Sequence, residues 1–235
     1  MVVHVRLVGT DGSMELLGQM LAPGQPTPLL KDEVGWWLLI DVPSRRALHS
    51  AITGLQDHLD LANGAMHLWA NSRDRLEVKG VSYVDPETGR SSGLLLNAYS
   101  VVAPFAPAAL ARPSSTGLPL GAAALAAAAT NQGVARALSV LAAGGSEWWQ
   151  LYILLEILRD SLGERRGRRT GSWAEAFRKL AERYGETGDR LESLKQTVNY
   201  HRHFSADLPE LPWEHSKAAQ FIRQAVRDWI EDQLL

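Results

Sequence analysis

The sequence predicts an α+β protein, with a mixed α/β domain at the N-terminus followed by an all-helical C-terminal domain. Three observations predict it. Apolar residues alternate with polar ones, at the period of a half-buried strand, only in the first ~105 residues. From Pro104 to about Thr130 the composition shifts to Ala, Pro, Ser and Gly. Beyond that the apolar residues recur every three or four positions, the period of an amphipathic helix. The expected organisation is therefore a small α+β domain over 1–105, an Ala/Pro-rich connection containing a helix over 106–145, and a helical domain over 146–235.

In the first part, Val3, Val5 and Leu7 alternate with His4, Arg6 and Val8, and Gly9-Thr10-Asp11-Gly12 closes this strand as a turn cluster. Residues 14–21 fit either a short strand or a helical turn. Pro23, Pro26 and Pro28 mark a loop. Trp36-Trp37-Leu38-Leu39-Ile40-Asp41-Val42 is a continuous apolar run, as expected of a strand covered on both faces. Ser44, after Pro43, is placed to cap a helix with Leu48, Ile52, Leu55 and Leu59 as its stripe. Asn63 and Gly64 predict its end, with a further strand over 66–69. Leu76, Val78, Gly80 and Ser82 alternate with Glu77, Lys79, Val81 and Tyr83, and Asp85-Pro86-Glu87-Thr88-Gly89 turns this strand into a hairpin partner over 94–102.

In the second part, residues 131–143 predict a helix through Val134, Leu138 and Leu141, stopped by Gly144 and Gly145. Ser146 is placed to cap a helix with Trp148, Leu151, Tyr152, Leu155 and Leu158 on its apolar face. Ser172 caps the next, which carries Trp173, Phe177, Leu180 and Tyr184. Asp189 starts another, through Leu191, Leu194 and Val198, ending in Asn199-Tyr200-His201-Arg202-His203. Pro209 and Pro212 hold a loop, and residues 216–232 form the last helix.

Composition sets bounds on function. The chain is 46% hydrophobic and 21% charged, the balance of an ordinary globular protein. Its net charge of −2 supplies no global basic field to recruit nucleic acid. With 0 cysteines, disulfides, thiolate catalysis and cysteine-based metal sites are excluded. A cysteine-free chain whose apolar N-terminal run is broken by His4 and Arg6 is expected to be cytoplasmic. The Ala-rich stretch 118–129 is too short to span a bilayer, so no membrane partner is expected. No Walker loop, dinucleotide fingerprint, Gly-x-Ser-x-Gly elbow or His-Glu-x-x-His occurs, and no cofactor is expected.

The densest group of chemically capable side chains is His201, Arg202 and His203. An imidazole moves protons near neutral pH and a guanidinium holds phosphate oxygens, the pairing that metal-independent RNA cleavage needs. The plainer reading is a helix C-terminus carrying cations that complement the macrodipole. Successive helical residues diverge by about 100°, so His201 and His203 face one site only if the helix has ended. Glu156 lies beside the apolar face of the tryptophan helix, where it pairs either with Arg159 on its own helix or with Arg202, which it would orient. Arg165, Arg166, Arg168 and Arg169 form a basic loop that fits either phosphate contacts or solvent. His49, His58 and His67 are too divergent for a shared metal site, and no metal is expected. The pairs Trp36-Trp37 and Trp148-Trp149 read as core or interface anchors.

The C-terminal third resembles a group of bacterial proteins that share Trp-x2-Leu-Tyr, a Glu, an Arg-His pair, a Pro-rich loop and an amphipathic helix with a late Trp. Here these are Trp148, Leu151-Tyr152, Glu156, Arg202-His203, Pro209 and Pro212, and the helix from Phe221 to Trp229. The helical layout also resembles HEPN-type ribonucleases, which implies a defence or toxin role with Arg202 on phosphate, His203 or His201 as acid or base, and Glu156 as orienter. The HEPN spacing is not reproduced: Arg159 follows Glu156 by three residues, and no Arg precedes His201 or His203 by five to seven. Two functions are therefore expected. The first is a non-catalytic interaction or regulatory protein, with a protein partner or a second copy of the chain. The alternative is a metal-independent ribonuclease acting on nucleic acid.

Overall fold

The computed structural model describes residues 1–21, 29–70, 72, 74–84, 91–95, 118–163, 170–203 and 208–234. The chain is an α+β protein, and it divides into two compact units, Met1–Ala122 and Ala123–Leu235. Residues 22–28, most of the expected hairpin partner over 94–102, the Pro-rich start of the connection and Arg165, Arg166, Arg168 and Arg169 lie outside the described residues.

The first unit is built on a five-stranded sheet in the order β2-β3-β1-β4-β5, comprising β1 (Val2–Val8), β2 (Leu29–Lys31), β3 (Trp36–Asp41), β4 (Glu77–Val84) and β5 (Ser91–Leu95). Every pairing is antiparallel. The alternation in β1 is realised as expected: Val3, Val5 and Leu7 are buried, while Val2, His4 and Val8 are exposed. Val3, Val5 and Leu7 pair with Tyr83, Val81 and Val78 on β4. That set cannot come from one strict alternation, because Val78 and Val81 are an odd number of residues apart. The register shifts between Arg6 and Leu7, with Arg6 opposite Gly80 and Leu7 opposite Val78. The extra residue, Lys79, is a β-bulge that moves the buried set of β4 to the other parity. Val78 and Gly80 of the expected set are buried, but beyond them the buried residues are Val81 and Tyr83 rather than Ser82.

A second correction concerns β3. Only Leu38 is buried, and Trp36, Trp37, Leu39 and Ile40 are half-exposed. An antiparallel sheet does not need covering helices on both faces. The indoles of β3 are instead fixed by carboxylates. Trp36 Nε1 donates to Asp11 Oδ1 at 2.7 Å and Trp37 Nε1 donates to Asp32 Oδ2 at 2.9 Å. The Lys31 ammonium, then the Trp36 indole, hold the Asp11 carboxyl below the usual range, and the Trp37 indole does the same for Asp32.

Residues 14–21 are helical, within α1 (Asp11–Leu21). Thr10 Oγ1 accepts the Ser13 N–H at 3.3 Å and so caps it. The buried Met14, Leu17, Leu16 and Met20 form its inner face. Ser44 stands before a short 3-10 turn, Arg45–Ala47, without a side-chain cap bond. That turn leads into α2 (Leu48–Trp69). The expected stop at Asn63 and Gly64 and the strand over 66–69 do not occur: the helix continues to Trp69. Asn63 is buried and its side chain is used across the fold rather than along the helix. Its Oδ1 accepts the Leu76 N–H at 2.8 Å, and its Nδ2 donates to the Leu76 carbonyl at 3.0 Å. With Leu59, Ala62, Met66 and Trp69 it forms the buried stripe of α2 at helical spacing.

Helix α3 (Leu118–Ala128) is followed, in the second unit, by α4 (Gln132–Ala142), α5 (Trp148–Leu162), α6 (Trp173–Tyr184), α7 (Gly188–His203) and α8 (His215–Asp232). The Asn131 side chain accepts from Gly133 N and Val134 N and starts α4. Gly144 and Gly145 end it with positive φ of 106° and 54°. The start of α5 differs from expectation. Gln150, not Ser146, does the capping: its Oε1 accepts the N–H groups of Ser146 and Glu147, and its Nε2 donates to the Ala143 carbonyl at 2.8 Å. Ser172 caps α6, accepting the Glu175 N–H, and Gly185 closes it at φ +68°. Thr187 Oγ1 accepts the Arg190 N–H at the head of α7. Helix α5 packs against α4, α6, α7 and α8. It buries Leu151, Leu154, Leu155, Ile157 and Leu158, a set too wide for one stripe and suited to a central helix. No described helix is long and apolar enough to cross a membrane.

Candidate interaction site

The head of α5, the tail of α7 and the first residue of α8 meet at one end of the second unit. Trp148 and Tyr152 are four residues apart on α5, so their rings stand one turn apart on the same side. Helix α7 presents His201, Arg202 and His203 to this pair. The His201 ring lies flat on Trp148, with centroids 4.4 Å apart and planes 7° apart. The Arg202 guanidinium lies 4.2 Å from the Tyr152 centroid, and the His203 ring meets the same Tyr152 edge-on at 6.4 Å. Helix α7 runs through His203, so the angular divergence expected of these residues holds. It is absorbed by giving His201 and His203 different aromatic partners rather than one common point.

The third histidine, His215, opens α8 and is placed by the loop that precedes it. Leu211 O accepts from Arg190 Nη1 at 2.9 Å and from Ser193 Oγ at 2.6 Å. Trp213 N–H donates to Thr197 Oγ1, and its indole donates to the Arg190 carbonyl. The Arg190 guanidinium lies 4.4 Å over the Trp213 ring. These bonds run the loop along α7 and deliver His215 to Trp148, which it meets edge-on at 4.7 Å. His215 Nε2 donates to the Ser146 carbonyl at 2.6 Å, and because a carbonyl only accepts, that nitrogen carries the proton.

Glu156 does not join this group. Its side chain pairs with Arg159 Nη1 at 3.7 Å, and Arg159 Nε also reaches Asp160 at 2.8 Å. The Glu156–Arg202 pair is not formed; Arg202 sits on an aromatic ring and Glu156 in an i,i+3 pair on its own helix. Arg165, Arg166, Arg168 and Arg169 lie outside the described residues. Among the described residues no group of His, Asp and Glu could hold a metal ion, and His49, His58 and His67 are no exception.

One member of the site, His215, carried no signal of its own in the sequence: it lies far along the chain from Trp148 and becomes a neighbour only through the loop bonded to α7. Trp149, read in the sequence with Trp148 as a core or interface anchor, follows it directly yet is 50% exposed. It stands three residues before Tyr152, so it flanks the ring that carries Arg202 and His203. The chain matches no protein-family model, no curated protein and no solved structure.

Proposed function

We propose that this is a non-catalytic interaction or regulatory protein, and that its helical unit binds a protein partner through the end of α5. The observation that carries the reading is Trp149, 50% exposed on a packed helix three residues before Tyr152, the ring that Arg202 and His203 meet. A large ring held at the surface by a packed helix is the kind of anchor that dominates binding energy in protein interfaces. The pairing of Glu156 with Arg159 supports the same reading, because the orienting carboxylate that the ribonuclease reading assigns to Arg202 is engaged elsewhere.

The test compares the full chain with Trp149→Ala. Partners captured by the wild type are identified, purified and titrated against both proteins, with circular dichroism to show that the variant is folded. Truncating an interface tryptophan should cost about 2 kcal/mol or more, roughly a 30-fold weaker Kd. Equal binding by both proteins overturns the proposal. So does cleavage of mixed RNA, with or without divalent metal, by the wild type and not by His203→Ala.

A further inference from the structure

We infer that the Tyr152–Arg202–His203 rim is a receptor for a carboxylate on an acidic segment of the protein partner, seated next to the Trp149 ring. This rests on the interaction reading above and gives the partner a chemistry.

Arg202 is exposed, and its guanidinium is held 4.2 Å from the Tyr152 ring centroid. A guanidinium held over a ring is restrained in place, and its planar fork of N–H donors can engage a carboxylate through two parallel hydrogen bonds. Among the described residues no carboxylate lies within ion-pair distance of His201, Arg202 or His203. The neighbouring acids are used elsewhere or stand apart: Glu156 pairs with Arg159, and Glu214 pairs with Lys217 at 3.2 Å. Two other surface arginines of the unit hold carboxylates, whereas Arg190, over the Trp213 ring, has none among the described residues. Arg178 is engaged by Glu175 and Glu182, and Arg183 by Asp228 and Asp232. Arg202 is thus a permanent cation, pre-oriented on a ring, with an exposed imidazole at the same ring and an exposed indole one turn away. Such a surface is complementary to an anionic group followed by an apolar side chain.

The charge pattern favours a carboxylate over a nucleic-acid backbone. Phosphate-backbone binding gains affinity from many cations acting together. Here Arg202 is the permanent cation of the rim, the exposed Glu147 stands at the same end of α5, and the chain as a whole is net −2. Those conditions suit one or two carboxylates and oppose a polyanion.

The probe is a short peptide of alternating glutamate and leucine, with its glutamine–leucine counterpart as the neutral control. Binding to the full chain is followed through the indole N–H resonance of Trp149, assigned with Trp149→Phe, and the ring resonances of His203. The acidic peptide should shift both saturably and bind at least ten-fold more tightly than the neutral one. Arg202→Gln should lose that ten-fold, and Arg202→Lys, which keeps the charge without the fork, should fall between. Equal binding of the two peptides, no saturable shift, or wild-type affinity in Arg202→Gln overturns the inference. A single-stranded oligouridylate that moves the same resonances at lower concentration than the acidic peptide also overturns it, in favour of phosphate. The two proposals fail separately. A purified partner that is lost by Trp149→Ala but retained by Arg202→Gln removes the carboxylate receptor and leaves the interaction reading standing.

Discussion

Replacing Asn63 by Ala removes a clamp whose two halves can be counted. The Asn63 amide accepts the Leu76 N–H at 2.8 Å and donates to the Leu76 carbonyl at 3.0 Å. Asn63 is 4% exposed and Leu76 fully buried, so water does not replace the lost partner without rearrangement. Each buried backbone group left unpaired costs about 1–3 kcal/mol, so the pair should cost about 2–6 kcal/mol. That is a large part of the ~5–15 kcal/mol that keeps a typical domain folded. At a urea slope of about 2 kcal/mol/M, a loss of 3 kcal/mol lowers the midpoint by ~1.5 M. Amide exchange in β1 and β4 under rising urea reports on the first unit alone, which matters in a chain with two compact units. Asn63→Gly separates the clamp from a helix-end role. A residue that served to stop α2 would tolerate glycine, whereas the clamp predicts a loss at least as large as in Asn63→Ala, with about 1 kcal/mol more for glycine inside a helix. A midpoint shift below ~0.3 M in Asn63→Ala, or a more stable Asn63→Gly, would refute the reasoning.

The other predictions concern the helical unit. Leu158→Ala, at a fully buried position of the central helix, should cost about 2–5 kcal/mol in chemical unfolding of that unit, and a loss under 1 kcal/mol would show that the neighbouring helices close the cavity. Gly171→Ala should prevent native packing after α5, because an added Cβ would lie 2.1 Å from the Arg159 carbonyl oxygen; a wild-type melting temperature would contradict this close approach. The Tyr184 phenol is pushed above its ordinary value of 10.0, chiefly by burial and then by the Asp228 carboxylate to which it donates at 2.7 Å. Its folded pKa being the higher, its contribution is fully present below pH 10 and is lost as the pH rises above that, where the unfolded chain ionises first. Tyr184→Phe should therefore flatten the alkaline fall in the urea midpoint between about pH 10 and 11.5, and parallel curves for the two proteins would count against it.

The sequence by itself determined which segments become helix or strand wherever one periodicity ran unbroken. The β1 alternation of Val3, Val5 and Leu7, the stripes of α6 and α8, and the glycine stop after α4 follow from side-chain period and backbone freedom, both local properties. Tertiary structure decided the points where a local signal had two uses. Asn63 is a good helix terminator in isolation, but the unpaired backbone of Leu76 engages its amide and the helix continues. The Lys79 bulge sets which β4 residues face inward, and only pairing with β1 defines it. Ser146 suits the head of α5 by its residue type, but the Ser146 and Glu147 N–H groups and the Ala143 carbonyl all engage the Gln150 side chain instead. The same division runs through the candidate site. His201, Arg202 and His203 are adjacent in the chain and visible there as a cluster. That their partners are Trp148 and Tyr152 rather than Glu156, and that His215 completes the group, depends on how α5, α7 and α8 pack. Contacts between residues distant in sequence are fixed by burial and hydrogen-bond satisfaction across the whole unit, and no window of neighbouring residues contains them.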